Sequence, residues 1–382
     1  MALSLRLHAH PETGFQEFKA AAWLTEYLEG KAFAVERGYC QLETAFRAVY
    51  GNGEPAVAFI AEYDALPGLG HACGHNIIAA AAVGAAVAVR EAAAQWGGKV
   101  LVIGTPAEEV MGGKAIMAQR MAFQGLDAAL MIHPGVRNAV FARSLACIEL
   151  QVEFYGKAAH AAARPQEGVN ALEALILSFN NINSLRQHTK DRARIHGIIT
   201  HGGQAPNIVP AHSAATFLVR AEDDHYLEEL MEKVLNCFRA ASLATGARLE
   251  HRWSAVRYAP MRTNHSLARL FAHNLESLGR RVIPSDGGLG GMGSTDMGNV
   301  SQLVPSIHPS VAIAPKTVLG HTPEFAAAAA SSDGLKGLLD GSRALAMTWV
   351  DLVLQPEALA KVREEFYKGR PGGIPGEGED EG

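Results

Sequence analysis

The stretch GLGHACGHNIIAAAAVGAAVAV, residues 68–89, places three potential ligands at alternate positions just ahead of a long apolar run. His71, Cys73 and His75 stand among glycines, and no charged residue follows within the stretch. The apolar run of about 14 residues is shorter than the roughly 20 that a membrane span needs, so it predicts a buried helix over 75–95. The three polar side chains then form either a tight buried turn or a set of ligands directed at one point.

Length and composition exclude several classes of protein. The chain has 382 residues, is 48% hydrophobic and carries a net charge of −5. This length suggests two compact units. An acidic chain lacks the basic surface of a nucleic-acid-binding protein, and no apolar run has the length of a membrane span, so we expect neither partner. Cys40, Cys73, Cys147 and Cys237 match no zinc-finger or disulfide spacing, which favours a reduced, cytoplasmic environment.

Apolar segments alternate with helix-forming segments around the opening stretch. EPAVAFIAEYDALP (54–67) precedes the predicted helix, and KVLVIGTPAEE (99–109), GGKAIMAQRMAF (112–123) and DAALMIHPG (127–135) follow it. The first, second and fourth of these segments are predicted strands, and the third is a predicted helix. Continuous apolar strands that alternate with helices indicate a sheet covered on both faces. We therefore predict an α/β fold with a mixed, mainly parallel sheet.

Acids and a histidine follow the predicted strands at the point where each strand ends. Asp64 comes after the first strand, Glu108 and Glu109 after the second, and His133 near the end of the third. Ligands of open α/β sheets bind at the carboxyl ends of the strands. We therefore expect these side chains to lie at one edge of the sheet.

The residue types at this edge suit a transition-metal site. A thiolate and three imidazoles are typical ligands of zinc, manganese, cobalt or nickel. Five protein ligands exceed the usual three of a single catalytic zinc, and they fit two divalent ions about 3.5–4 Å apart. One of two adjacent acids can then bind metal while its neighbour takes a proton from water. The candidate ligands are Cys73, His75, Glu109, His133 and His321.

Each of these signals also has a purely structural explanation. A single cysteine is more often a small buried hydrophobe than a ligand. A histidine before a proline, as at His133, fits a hydrogen-bonded core residue, and adjacent glutamates such as Glu108 and Glu109 are common at a helix start. The glycines of 287–293 fit a flexible turn. What favours a metal site over these explanations is that the candidates sit at successive strand ends of one predicted sheet.

A second domain is predicted between the two halves of the first. From Cys147 onward the segments follow the order β-α-β-β-α-β, which is the ferredoxin-like arrangement. This predicts an inserted domain over 147–258, with the α/β domain made of 1–146 and 259–368. The tail 369–382 is rich in glycine and acidic residues, and we expect it to be disordered.

The chain resembles metallopeptidase family 20, and within it the amidohydrolase branch, subfamily D. This branch includes aminoacylases, indole-acetic-acid–amino-acid hydrolases, aminobenzoyl-glutamate hydrolases and β-alanyl-lysine dipeptidase-like proteins. The matching segments run in family order over nearly the whole chain. They are LHAHPETGFQE, EYDALPGLGHACGHN, GTPAEEVMGGK, IHPG, GKAAHAAARPQEGVNA, APNIVPAHSAATFLVR, STDMGNVSQLVPSIHP and GHTPEF.

The resemblance implies a role for each matching residue. Glu108 is the general base, and Asp64 orients a metal-ligand histidine. In the inserted lid and dimerisation domain, His160 reaches the active site of a second subunit and stabilises the oxyanion, which makes the protein a homodimer. Asn207 and Arg220 hold the substrate carboxylate. The metal ligands that the resemblance implies are Cys73, His75, Glu109, His133 and His321.

The chain departs from the wider family at two positions. Most of that family has a metal-binding histidine two residues before the position of Asp64, where this chain has Glu62. The wider family also has a bridging aspartate where this branch has Cys73. Both changes are normal in the amidohydrolase branch, and they leave several divalent metals possible, with zinc or manganese ahead of cobalt and nickel.

The expected activity is hydrolysis of the amide bond in N-acyl amino acids or dipeptides that carry a free carboxylate. Two alternatives come from other classes. One is a metal-binding dimeric scaffold without activity, which would not need Glu108. The other is an aminopeptidase of a related two-metal clan, which would recognise a free amine and would not need His160.

Overall fold

The computed structural model describes residues 1–141, 143–283 and 293–368. The predicted disordered tail, 369–382, lies outside these described residues. Most of the glycine-rich segment 287–293 lies outside them as well.

Helices and strands of the described residues alternate along much of the chain. The helices are α1 Ala2–Ala9, α2 Phe18–Glu29, α3 His75–Trp96, α4 Glu108–Met111, α5 Gly113–Gln119, α6 Ala171–Arg186, α7 Asp224–Thr245, α8 His265–Ser277, α9 Met297–Ser301, α10 Pro323–Ala328, α11 Ser332–Leu354 and α12 Pro356–Tyr367. The strands are β1 Ala34–Arg37, β2 Phe46–Tyr50, β3 Ala56–Glu62, β4 Lys99–Thr105, β5 Ala128–Leu130, β6 His133–Gly135, β7 Ala146–Tyr155, β8 Arg194–His201, β9 His212–Ala221, β10 Arg248–Tyr258, β11 Ser306–Ile307 and β12 Ser310–Ala312.

A six-stranded sheet with the order β1-β2-β4-β3-β5-β11 forms the centre of the first unit. The pairs β4–β3, β3–β5 and β5–β11 are parallel, and the pairs that involve β2 are antiparallel. Every residue of β3 is buried, as expected for a strand covered on both faces. The predicted α/β class with a mixed, mainly parallel sheet is confirmed.

The predicted strand over 127–135 is wrong in one respect, because it forms two strands in different sheets. β5 pairs with β3 and β11 in the main sheet, whereas β6 pairs with β12 in a separate two-stranded sheet. Pro134 lies in the middle of β6 and has no N–H to donate, which suits a short two-stranded ladder better than a central strand. His133 therefore opens a strand that lies outside the main sheet.

The long apolar helix α3 packs against β3 and β4 and against α11. At Gly84 a Cβ atom would lie 2.7 Å from Ser342 Oγ of α11, so the absence of a side chain permits a close approach of the two helices. By length and composition alone α3 could cross a membrane, since its mean hydropathy reaches 1.7, but 61% of that window is buried inside the fold. The helix is the core helix that the sequence predicts.

The second unit has the predicted ferredoxin-like order of elements. β7, α6, β8, β9, α7 and β10 follow one another, and the strands form an antiparallel sheet with the order β10-β7-β9-β8. Buried apolar side chains of α6 and α7 form the core of this unit with those of the sheet.

Contacts between residues divide the chain into two compact units. One contains the described residues of Met1–Arg143, Met261–Gly291 and Thr295–Gly382, and the other contains those of Ser144–Pro260 and Met292–Ser294. The roles predicted for them, catalysis for the first and dimerisation for the second, stay predictions.

Candidate active site

A single glycine brings the opening stretch against the loop that carries His133. Gly74 caps α3 with a φ of 81°, in the left-handed region that favours glycine. A Cβ atom at this position would lie only 2.4 Å from Pro134 Cγ. The turn therefore places Cys73 and His75 directly beside His133, and Cys73 Sγ lies 3.4 Å from His133 Nε2.

The five predicted metal ligands lie close together in the first unit. Ligand atoms of Cys73, His75 and His133 lie within 4.8 Å of one another, and so do those of Cys73, Glu109 and His321. The two groups share the Cys73 sulfur, and His321 Nε2 lies 3.5 Å from Glu109 Oε1. Two overlapping groups with one shared ligand have the donor arrangement of a paired divalent-metal site.

Two buried polar atoms in this cluster indicate whether a metal ion fits there. His75 Nε2 and Glu109 Oε1 have no hydrogen-bond partner among the described residues, although both are buried. They lie 3.8 Å apart. Buried polar atoms are normally hydrogen-bonded, and a cation between these two would satisfy both. The donor set fits divalent metal ions.

His75 and His133 are both held through the same ring nitrogen, Nδ1. Nδ1 of His75 donates to Asp64, and Nδ1 of His133 lies 2.7 Å from the carbonyl oxygen of Pro134. This leaves Nε2 of each ring facing the cluster. Burial lowers the pKa of His133 to about 4, which keeps the imidazole neutral as a ligand requires. Burial likewise raises the pKa of the Cys73 thiol to about 12, so a cation is needed to favour the thiolate.

Asp64 connects three parts of the site. Its Oδ1 lies 3.0 Å from His75 Nδ1, its backbone oxygen lies 2.9 Å from the same nitrogen, and its Oδ2 accepts a hydrogen bond from the backbone N–H of Glu109 at 3.0 Å. The carboxylate thus fixes the orientation of the His75 ring and the start of α4 together.

Glu108 opens α4 beside the cluster. Burial raises the pKa of its carboxyl group well above the usual range, and the negative charges of Glu62 and Asp296 add to this effect. One carboxylate oxygen of Glu108 belongs to a further group of close ligand atoms, together with Glu62 and His75. A carboxyl group with a raised proton affinity is suited to proton transfer at neutral pH.

A buried ion-pair network beneath the site is not predicted from the sequence. Lys114 is fully buried, and its ammonium group forms ion pairs with Glu62 and, at 2.7 Å, with Asp296 Oδ1. Glu62 Oε1 in turn lies 2.9 Å from His75 Nε2, without the alignment of a hydrogen bond. Burial alone would raise the pKa of Glu62, but the Lys114 charge lowers it well below its usual range. The sequence shows a lysine and two acids in separate motifs, and nothing in their spacing pairs them.

Two further histidines border the cluster. His308 is buried with its ring centroid 5.4 Å from that of His133, and burial lowers its pKa to about 3. His71 is buried against His8, with 6.1 Å between ring centroids, and it is absent from the three groups of ligand atoms. The STDMGNVSQLVPSIHP segment contains His308, but its residue pattern gives no sign that this ring lies beside His133.

The other three predicted site residues belong to the second unit. His160 is exposed, and its Nδ1 accepts hydrogen bonds from the backbone N–H groups of Ala162 and Ala163. Asn207 is its neighbour, since the carbonyl oxygen of Asn207 accepts a hydrogen bond from Ala161 N at 3.0 Å. Arg220 lies on β9 and donates to Ser294 Oγ, while its buried Nε has no partner among the described residues.

Comparison with known proteins agrees with a site for amide hydrolysis. Residues 146–245 match the peptidase dimerisation domain of the M20 family. The chain is 42% identical to the Xaa-Arg dipeptidase of Mus musculus over 96% of its own length and 88% of the relative. It is 37% identical to one component of the p-aminobenzoyl-glutamate hydrolase of Escherichia coli, over 66% of its length and 58% of the relative. These relatives are hydrolases of amide bonds.

The chain belongs to the M20 family of peptidases and amidohydrolases, and the family predicted from its motifs is confirmed. A dinuclear metal-binding M20 peptidase from Bacillus subtilis has the same fold, with a TM-score of 0.70 over 92% of this chain and 97% of that one, at 20% identity. The prediction of a hydrolase that cleaves amide or peptide bonds is confirmed by this membership.

The buried network predicts a large effect of removing its cation. Lys114→Met leaves Glu62 and Asp296 buried without a counter-charge, so we expect the free energy of unfolding to fall by about 3–5 kcal/mol in urea denaturation. The matched control is Lys336→Met, which removes an ammonium group that is 64% exposed and 2.6 Å from Asp340. This control should lose less than about 1 kcal/mol. Equal losses in the two variants would contradict a structural role for the buried pair.

Proposed function

We propose that the chain is a two-metal dipeptidase that hydrolyses dipeptides or N-acyl amino acids with a free carboxylate, and that its preferred dipeptides end in arginine or another basic residue. The observation that carries the activity is the pair of ligand groups that share Cys73 beside Glu108. The basic preference is supported by the 42% identity with a protein named Xaa-Arg dipeptidase.

The five clustered side chains are proposed to hold two divalent ions. A sulfur ligand with three imidazoles and one carboxylate favours zinc, and manganese, cobalt or nickel also accept imidazole and carboxylate ligands. When bound, the ions supply Lewis acidity that lowers the pKa of water and polarises the amide carbonyl. The ligands in this proposal are Cys73, His75, Glu109, His133 and His321.

Glu108 is proposed as the general base. Its carboxylate takes a proton from the attacking water and later returns that proton to the nitrogen of the leaving amine. The adjacent Glu109 is proposed to bind metal instead, because its Oε1 lies 3.8 Å from His75 Nε2 in the ligand cluster. Asp64 keeps both in place through the hydrogen bond that it accepts from Glu109 N.

Recognition of substrate is proposed to involve the second unit and a second copy of the chain. The match of 146–245 to a dimerisation domain supports a homodimer. His160, which is exposed, would donate a hydrogen bond to the developing oxyanion in the site of the other copy. Arg220 and Asn207 would bind the substrate carboxylate, for which a guanidinium group offers two parallel donors.

A substrate panel tests the proposed activity. After chelation and addition of zinc, manganese or cobalt, we expect Ala-Arg to be hydrolysed with a higher kcat/KM than Ala-Glu, N-acetyl-arginine or p-aminobenzoyl-glutamate. The C-terminal amide of Ala-Arg is the matched control, because it lacks only the free carboxylate and should lose about 10²-fold or more in kcat/KM. Hydrolysis of the amide at the same rate would contradict carboxylate recognition.

The role of Glu108 is tested by Glu108→Gln, which keeps the volume but removes the base. We expect kcat to fall by about 10²-fold or more while bound metal, measured by mass spectrometry of the metals, stays at the level of the unmodified protein. Glu91→Gln on the exposed face of α3 is the control and should keep full activity. Normal turnover of Glu108→Gln would show that another group is the base.

The dimer proposal makes a quantitative prediction about mixing two inactive variants. His160→Ala and Glu108→Gln proteins that exchange subunits freely should form mixed dimers in which one of the two sites is intact. With equal amounts, about a quarter of all sites should recover activity, given the two-fold symmetry usual for homodimers. Subunit exchange is followed by native mass spectrometry. Exchange without recovered activity would mean that His160 does not act across the dimer.

A further inference from the structure

A buried carboxyl group that has no part in the proposed mechanism contacts the loop between β4 and α4, just before Glu108. Glu17 is fully buried just before α2. Its Oε1 accepts a hydrogen bond from Ala107 N at 2.8 Å, and its Oε2 accepts one from Thr44 Oγ1 at 2.9 Å. Both donors are neutral, and burial raises the pKa of Glu17 to about 7. Burying a carboxyl group without a cationic partner costs stability, so its presence requires an explanation.

The residue that Glu17 holds has an unfavourable backbone conformation. Ala107 has φ 57° and ψ 46°, in the left-handed region, although it is not glycine. This conformation is unfavourable for a residue with a side chain, because its Cβ lies too close to the following carbonyl oxygen. Strained backbone of this kind persists only where the surroundings hold it in place. Ala107 directly precedes Glu108, so its conformation sets the direction in which Glu108 and Glu109 leave β4.

The same N-terminal segment also contacts the other loop of the site. The carbonyl oxygen of Glu12 accepts a hydrogen bond from Ala65 N at 2.8 Å, one residue beyond Asp64. Gly14 lies so close to the turn that a Cβ atom there would be 2.9 Å from Ala107 Cβ. Residues 12–17 therefore brace the loops after β3 and β4 from one side.

We propose that Glu17 is a positioning residue of the active site, whose carboxyl group holds Ala107 in its left-handed turn and so aims Glu108 and Glu109 at the ligand cluster. The importance of that aim rests on the function proposed above. Holding the turn is a property of the fold, and it can be measured without any substrate.

Hydrogen exchange provides that measurement. In Glu17→Ala we expect amide exchange of a peptide covering 106–113, followed by mass spectrometry on the full chain, to be at least ~10-fold faster, because Ala107 N–H loses its acceptor. Glu17→Gln keeps an acceptor oxygen and should exchange at the original rate. The matched control is Glu12→Ala, whose side chain accepts hydrogen bonds from the N–H groups of Lys19 and Ala20 in α2. It should leave the exchange of 106–113 unchanged.

Measurement of kcat is the second test of the positioning role. We expect kcat to fall ~10–100-fold in Glu17→Ala, because a small misplacement of catalytic groups has effects of this size. Glu17→Gln and Glu12→Ala should each keep kcat within ~3-fold of the original value, since neither withdraws the acceptor from Ala107 N. The double variant Glu17→Ala with Ala107→Gly should recover part of the loss, because glycine adopts the left-handed turn without strain. A role in core stability alone would not give this recovery.

Three results overturn the proposal. They are unchanged exchange of 106–113 in Glu17→Ala, equal acceleration in Glu12→Ala, and unchanged kcat in a variant whose exchange is accelerated. Should Glu17→Ala not fold, Glu17→Asp takes its place, because the side chain shorter by one methylene withdraws the oxygen from Ala107 N. Normal exchange and kcat in Glu17→Asp also overturn it. If exchange responds as expected while the protein cleaves no amide substrate, the turn is held as proposed and the function assigned above is wrong.

Discussion

The Asp64 carboxylate makes the contacts on which the rest of the site depends. One of its oxygens orients His75 at the start of α3, and the other accepts a hydrogen bond from the backbone N–H of Glu109 in the first turn of α4. Because Asp64 lies just after β3, a fully buried interior strand, these contacts connect the two helix starts to the interior of the sheet. The sheet, through Asp64, therefore sets the positions of the side chains proposed to bind metal.

Charge burial on this scale needs compensation from the surrounding fold. Glu62, Asp64, Lys114 and Asp296 are all buried beneath one site. A single ammonium group faces two of the three carboxylates, and divalent ions would supply the remaining positive charge. Burial of the apolar side chains of β3, α3 and α11 offsets the free-energy cost of burying these charges. The alanine-rich composition of α3 reflects the close approach of its neighbours.

The sequence predicts the elements of this fold better than it predicts their side-chain contacts. Continuous apolar strands, the charge-free run after His75 and the β-α-β-β-α-β order are local patterns, and the structure follows them. The sequence does not predict the break between β5 and β6, because an apolar run does not reveal which partner strand each residue pairs with. Asp64 and the Glu108–Glu109 pair do follow β3 and β4, neighbouring parallel strands that share one edge, as the sequence predicts. His133 instead opens β6 in a separate sheet, and the close packing of Gly74 on Pro134 brings Cys73 and His75 beside it.

Neither the Glu62–Lys114–Asp296 network nor the contact of Glu17 with Ala107 can be predicted from the sequence, for a different reason. These contacts join residues between 52 and 182 positions apart in the sequence. Lysine, glutamate and aspartate side chains are mostly exposed in proteins, so their presence in a sequence does not indicate burial. Only the three-dimensional packing distinguishes the buried ones.

The hydrogen bonds of His75 and His133 have a consequence for how the proposed metal ions would be acquired. In small zinc domains the ion organises the chain, and selection of the ion is part of folding. Here His75 and His133 are held through Nδ1 by Asp64 and Pro134, protein groups that need no ion. We therefore expect metal selection to occur on an already folded chain, where the availability of each ion counts alongside the ligand types.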